Sequence, residues 1–392
     1  MSNPSGDLSM VSLSQAGVKN IPLFKMYADE TDVEAVTNVI RRQNFWATGE
    51  EINQFEQELA KFVGRKYAVV FNSGTSALHT MLLAFEIKTN DEVIVPSFTF
   101  IATANAPFFV GAKPAFADIE GDTYGLDVQS VKQKITNKTK AIMPIHYGGC
   151  ACSHLVELKE LAEQKGLLFF EDAAQSLGAK IDNINVGTFG EAAMFSFCQD
   201  KMITTGEGGV IVTDNKDSYE EMKLIVSHGR ADDKNYFNST SLGDYIRLGY
   251  NFRMPSMNAA LGLAQLRKIT DVIRKRQRNA QEYSRLLKEN PQIKTPELPK
   301  RFFHVYQKYT IDVENKRDEL QKHLSQNHIV TKAYFGTPVH LTNFYRSIFK
   351  YKEGMLPITE QKARKVLSIP MFPSLTKEEI TFVAEKILEF IK

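Results

Sequence analysis

The sequence predicts an α/β fold built around one mainly parallel sheet. Two observations point there: short apolar runs bounded by turn residues recur through the first half of the chain, and helical patterns lie between several of them. The runs are Tyr67 to Phe71, Val93 to Val95, Pro114 to Ile119, Ala141 to Ile145, Leu167 to Phe170, Ala192 to Phe197 and Val210 to Thr213. Leu155 to Gln164 is one of the intervening helices. Such alternation implies crossovers, and crossovers imply a sheet covered on both faces.

The remaining elements follow in order. Residues 1–20 are rich in Ser, Asn and Gly without periodicity and read as a loosely held arm. From Asp29 to Phe62 apolar positions recur at helical spacing, and the strand Tyr67 to Phe71 then feeds Ser73-Gly74-Thr75 and a new helix. After Asn258 a long helix, Ala259 to Leu287, opens a mixture of short strands and helices. A chain of 392 residues exceeds one compact core. We therefore expect a large domain over 21–258 and a smaller α+β domain over 259–392. At the carboxyl end Thr376 and Glu379 make a capping-box pair, after which Ile380, Val383, Ile387 and Ile391 line one helix face.

Composition narrows the function classes. Lys plus Arg number 48 against 46 for Asp plus Glu, with no long run of one sign, so neither a nucleic-acid groove nor a polybasic membrane anchor is expected. No run of about 18 apolar residues is present, and MSNPSGDLSM lacks the blocks of a signal peptide, which makes a cytoplasmic enzyme the expectation. Three cysteines, two of them at Cys150 and Cys152, do not form the staple of a secreted protein.

Ligands of open α/β sheets gather beyond the carboxyl ends of the strands, and four segments there carry chemistry. Asn72 to Ser76 turns from strand to helix with hydroxyls and N–H groups that suit a phosphate; an ordinary helix cap is the alternative. Glu171-Asp172 ends a strand, and alternation sends the two acids to opposite faces, so that one can hold a protonated ring nitrogen or a metal while the other reading is a helix cap. Lys201, between two strand runs and among small and hydroxyl residues, is either a buried nucleophile or a solvated hairpin lysine. Gly249 to Pro255 gathers aromatic, amide and cationic groups, or is simply a turn.

Taken together and in order, NSGTSAL (Asn72 to Leu78), PSFTFIATANA (Pro96 to Ala106), EDAAQSLGA (Glu171 to Ala179), FSF…K…TTGEGG (Phe195 to Gly209) and GYNFRM (Gly249 to Met254) resemble the DegT/DnrJ/EryC1/StrS sugar aminotransferases. These belong to the aspartate-aminotransferase superfamily, fold type I, and the resemblance runs from about Ile21 to the carboxyl end. It implies pyridoxal 5'-phosphate as cofactor, with Lys201 as its covalent tether and the base that moves the proton. Asp172 would pair with the pyridinium nitrogen, so that the ring acts as an electron sink. Gln175 would sit beside the ring's phenolic oxygen and Phe100 on its face. Gly74, Thr75 and Ser196 match phosphate contacts. Asn251 resembles the residue that reaches the neighbouring subunit's phosphate, which implies a homodimer with a shared active site. His340 resembles a position near the sugar substrate. The implied reaction moves an amino group from glutamate to a keto group of a nucleotide-linked sugar, with 4-keto-6-deoxy sugars favoured because they are frequent in the family. Cys198-Gln199-Asp200 vary within the family and say little about mechanism.

Three other readings compete with this one. His146, Cys150, Cys152 and His154 are metal-ligand types, but the cysteines stand one residue apart where paired zinc cysteines are usually separated by two to four, so no metal is expected. An NAD-dependent oxidoreductase would need a G-x-G-x-x-G opening a helix after a strand, whereas Gly206-Glu207-Gly208-Gly209 leads into a strand. A cofactor-binding regulator without turnover shares every motif and is separated only by assay.

Overall fold

The computed structural model describes residues 20–231 and 243–391. The predicted arm, 1–20, lies outside the described residues except for Asn20. Two helices, α1 (Glu30–Arg41) and α2 (Glu50–Val63), replace the single helical stretch read from Asp29 to Phe62. The chain then alternates β1 (Tyr67–Phe71), α3 (Gly74–Ala84), β2 (Glu92–Pro96), α4 (Ile101–Phe109), β3 (Lys113–Ala117), α5 (Val128–Lys134), β4 (Thr139–Ile142), α6 (Leu155–Lys165) and β5 (Leu168–Asp172). A short hairpin, β6 (Lys180–Ile181) and β7 (Ile184–Asn185), precedes β8 (Ala192–Ser196) and β9 (Gly209–Thr213).

All seven predicted runs enter one sheet, ordered β1-β9-β8-β5-β4-β2-β3. Neighbours from β8 through β5, β4 and β2 to β3 run parallel. β9 is antiparallel to both β1 and β8, because the loop from β8 returns directly without a crossover helix. Burial on both faces explains why the strands read as continuous apolar runs. Ala68, Val70, Ile94 and Phe169 enter one core, while Val69, Phe71, Val93, Val95 and Phe170 enter the other.

After α7 (Lys216–Val226) the expected long helix is in fact two, α8 (Ser256–Arg267) and α9 (Ile269–Leu287). Lys268, with φ −107° and ψ 7°, closes one and opens the next. Its ammonium group pairs with Asp29 and Asp32 beside α1. The halves also serve different partners: α8 packs on α1 and α2, and α9 on the terminal helix. Each helix turns its apolar stripe to a different neighbour, which one straight rod cannot do.

The rest comprises β10 (Ile293–Lys294), β11 (Phe302–Phe303), β12 (Tyr309–Val313), α10 (Arg317–Gln326), α11 (Asn343–Phe349), α12 (Pro357–Lys365), β13 (Val366–Ile369) and α13 (Lys377–Ile391). β10, β12 and β13 form an antiparallel sheet, over which Tyr283, Tyr309, Leu324 and Ile387 share a core. The capping box of α13 is present, with the Glu379 N–H donating to Thr376 Oγ1 and the Thr376 N–H to Glu379 Oε2. β11 leaves this part of the chain and pairs with the β6–β7 hairpin. No described helix is long and apolar enough to cross a membrane.

Candidate active site

A cavity of about 550 Å³ opens beyond the carboxyl ends of β1, β5 and β8. Gly74, Thr75, Phe100, Asp172, Gln175, Ser196 and Lys201 all line it, although their segments are separated by as many as 127 positions between Gly74 and Lys201.

At one end α3 begins. Ser73 caps it, its Oγ accepting from the Ser76 N–H at 3.0 Å, and Gly74 and Thr75 form the first turn, where helix N–H groups lack intrahelical acceptors. Ser196 lies alongside: a Cβ on Gly74 would meet Ser196 and Met194 at 3.3 Å. Gly209 is as tightly placed, since a Cβ there would stand 2.7 Å from the Gly74 Cα. Two facing glycines thus let β9 approach the helix start and leave a cradle for a phosphate.

At the deep end stands Asp172. The predicted alternation holds: Asp172 faces the cavity and Glu171 points away. Asp172 Oδ2 accepts from Thr103 Oγ1 at 2.7 Å and Oδ1 from the Ala174 N–H at 3.2 Å. Burial pushes its carboxyl above the usual range, and Thr103, Ala174 and the Lys201 charge oppose this only in part. A protonated ring nitrogen set against Asp172 would supply the missing counter-charge.

Glu171 is wholly buried. It accepts from the N–H groups of Gly187, Phe189 and Gly190 and from Nε2 of His146 at 3.0 Å. Burial pushes its pKa up, but His146 and the backbone donors outweigh that and hold it below the ordinary value. His146 Nδ1 in turn accepts from the Cys152 N–H. This network anchors the strand end that carries Asp172. Gln175 Oε1 accepts from the Gly148 N–H, fixing its amide beside the cavity. Phe100, the N-cap residue of α4, is 61% exposed and lines the cavity, where its ring can offer a flat ligand one face.

Lys201 lies in the loop joining β8 to β9, its side chain 16% exposed and its Nζ 3.2 Å from Asp200 Oδ1. The loop is tied across its base by the Phe197 N–H to the Gly208 carbonyl and the Thr205 N–H to the Phe197 carbonyl. Phosphate cradle, exposed aromatic, buried carboxylate and lysine therefore surround one space, and the donor set fits pyridoxal phosphate.

The family model for DegT/DnrJ/EryC1/StrS aminotransferases matches residues 26–388. The chain belongs to that family. It is a pyridoxal-phosphate-dependent transaminase of the sugar-aminotransferase family, with the fold type I architecture. It is 36% identical to GDP-perosamine synthase of Escherichia coli O157:H7 over 375 residues, 95% of this chain and 99% of that one. It is 34% identical to a pleiotropic regulatory protein of Geobacillus stearothermophilus, again over 95% and 99% of the two chains. The structure matches Helicobacter pylori PseC, an aminotransferase involved in the biosynthesis of pseudoaminic acid, with a TM-score of 0.89 at 30% identity, covering 95% of this chain and 99% of the other.

Two predicted site residues of this aminotransferase stand apart from the cavity lining. Asn251 is exposed, paired with Ser227 in an isolated bridge. His340 is 1% exposed and is not brought to the cavity. Its N–H donates to Ser97 Oγ, Nδ1 lies 2.7 Å from the same hydroxyl, and Nε2 lies 3.2 Å from Glu360 Oε1. With both ring nitrogens engaged, the histidine joins the end of β2 to α12 and has no donor left for a sugar. Conversely, Asp200, set aside in the sequence, touches Lys201, and Thr103, Lys308, Lys332 and Tyr334 also line the cavity. Thr103 lay inside a quoted motif. Lys308 had no local signal, because a lysine at the edge of an apolar strand is ordinarily a solvated end.

Proposed function

We propose that this aminotransferase moves an amino group from glutamate to a keto group of a nucleotide-linked sugar, with 4-keto-6-deoxy sugars the acceptors to test first. The carrying observation is Lys201 and Asp172 on one cavity whose far end opens on the start of α3. The similarity to a GDP-perosamine synthase over nearly the whole of both chains supports a nucleotide-sugar acceptor.

Bound pyridoxal phosphate supplies an aldehyde that takes up the amino group and a ring that draws electrons from the adjoining carbon. Gly74, Thr75 and Ser196 bind the phosphate, Phe100 covers one face, and Gln175 orients the ring edge. Asp172 holds positive charge at the deep end. Lys201 tethers the cofactor and, once displaced, moves the proton at the substrate carbon through Nζ. The donor, having given up its amino group, leaves as its keto acid before the ketosugar enters, which predicts ping-pong kinetics. Asn251, exposed beside Leu248 at 77%, would extend into a second copy of the chain, making the working unit a homodimer.

The test is a screen of nucleotide-linked ketosugars with glutamate, reading aminated product by mass. Amination of at least one ketosugar is expected; acceptance of simple keto acids alone would overturn the sugar reading. Borohydride reduction of the loaded protein followed by peptide mapping should label Lys201.

A further inference from the structure

Among the described residues, three cationic side chains line the cavity: Lys201, Lys308 and Lys332. Lys201 serves the cofactor, so among the described residues of this chain an anionic substrate has two partners to choose between. Lys308, immediately ahead of β12, is 6% exposed; Lys332 is exposed towards solvent. Lys308 Nζ lies 3.5 Å from Asp200 Oδ2, 2.7 Å from Gln307 Oε1 and 4.3 Å from the centre of the Tyr334 ring. Lys201 Nζ approaches the other oxygen of that same carboxylate at 3.2 Å. Two lysine nitrogens therefore share one carboxylate in the cofactor-free chain, and Lys308, whose only anionic neighbour among these contacts is Asp200, sits almost closed to water at the reacting end of the cavity.

Position decides which anion fits. Lys308 is one carboxylate away from the amine that marks the reacting nitrogen, so it can meet only a charge borne on the reacting carbon or next to it. An α-amino acid has its carboxylate there. The diphosphate of a nucleotide-linked sugar is separated from the keto carbon by the sugar ring and suits the exposed Lys332 instead. We propose that Lys308 is the residue that recognises the α-carboxylate of the amino-acid donor, an inference that rests on the donor part of the function proposed above. In the cofactor-free protein burial, and after it the charge of Lys201, push Lys308 down to about 7, and a carboxylate beside it favours its charged form. In the acceptor half-reaction the sugar offers no such charge and Lys308 returns to Asp200, so one cavity takes an anionic donor and a neutral ring in turn.

The test uses the cofactor-loaded protein without sugar, following the absorbance change on adding donor. Wild type should convert with L-glutamate at concentrations about tenfold or more below those needed with glutamic acid 1-amide, which lacks only the α-carboxylate charge. Lys308→Met and Lys308→Gln should raise the glutamate KM about tenfold or more, change the rate at saturation far less, and abolish the preference over the amide. Equal use of acid and amide by wild type overturns the inference without any variant. So does a glutamate KM that does not move in the variants, or a wild type that converts with no α-amino acid. If glutamate converts and no ketosugar is aminated, the acceptor reading fails and the Lys308 comparison still decides.

Discussion

Asp172 and Glu171 are neighbours in one strand with opposite fates. Asp172 lacks a full counter-charge in the cavity, whereas Glu171 is saturated by three backbone donors and His146. Asp172→Asn should keep the fold and lower turnover with glutamate by about a hundredfold or more, the scale of losing one partner of a buried charge pair; stopped-flow absorbance checks it. Glu171→Gln should instead destabilise the protein by roughly 3 kcal/mol near neutral pH. Because its pKa is depressed on folding, its contribution is present above the ordinary carboxylate value and lost as the pH falls from there through the lower folded value. Urea unfolding of wild type and variant should therefore converge on acidification. Lys308 behaves oppositely to a salt-bridged lysine: its folded value of about 7 lies below the ordinary 10.5, so the cofactor-free protein gains stability as pH rises between them. Lys308→Met should remove that rise, leaving the variant favoured relative to wild type more at pH 6 than at pH 9 in melting experiments.

The elements around the site work by closeness. Gly209 on β9 lies so near the start of α3 that one added methyl group meets the Gly74 backbone. Gly209→Ala should displace the first turn of α3 and weaken cofactor phosphate binding by about tenfold or more, measured by cofactor titration of the apoprotein. The motif NSGTSAL marked this turn in the sequence, but the facing glycine was legible only as part of TTGEGG, with no hint that the two approach one another. Likewise the break at Lys268 between α8 and α9 is not legible in the sequence, which shows the apolar period and not the change of partner there.

At the scale of the molecule, two sheets have separate cores, and Lys308 reaches the cavity from the residue immediately ahead of β12 in the second of them. An exposed apolar segment, Tyr245 and Ile246 at 58% each and Leu248 at 77%, adjoins Asn251. If the site is shared between copies, Leu248→Asp should shift the protein from dimer to monomer in analytical ultracentrifugation and loosen the cofactor with it.

The sequence by itself determined the seven strands, their burial on both faces and the cap of α13, while the residues from Gly74 to Lys201 were legible only through five ordered motifs and the family resemblance they carry. The strands and the cap depend on periodicity or on a turn chemistry that neighbouring residues spell out. Tertiary structure alone decided that Glu171 is saturated by His146 and three backbone donors, that His340 is spent on Ser97 and Glu360, and that Asp200 stands between two lysines 107 positions apart. Those choices are contacts between segments remote in the chain, and a local pattern carries no record of what will be packed against it.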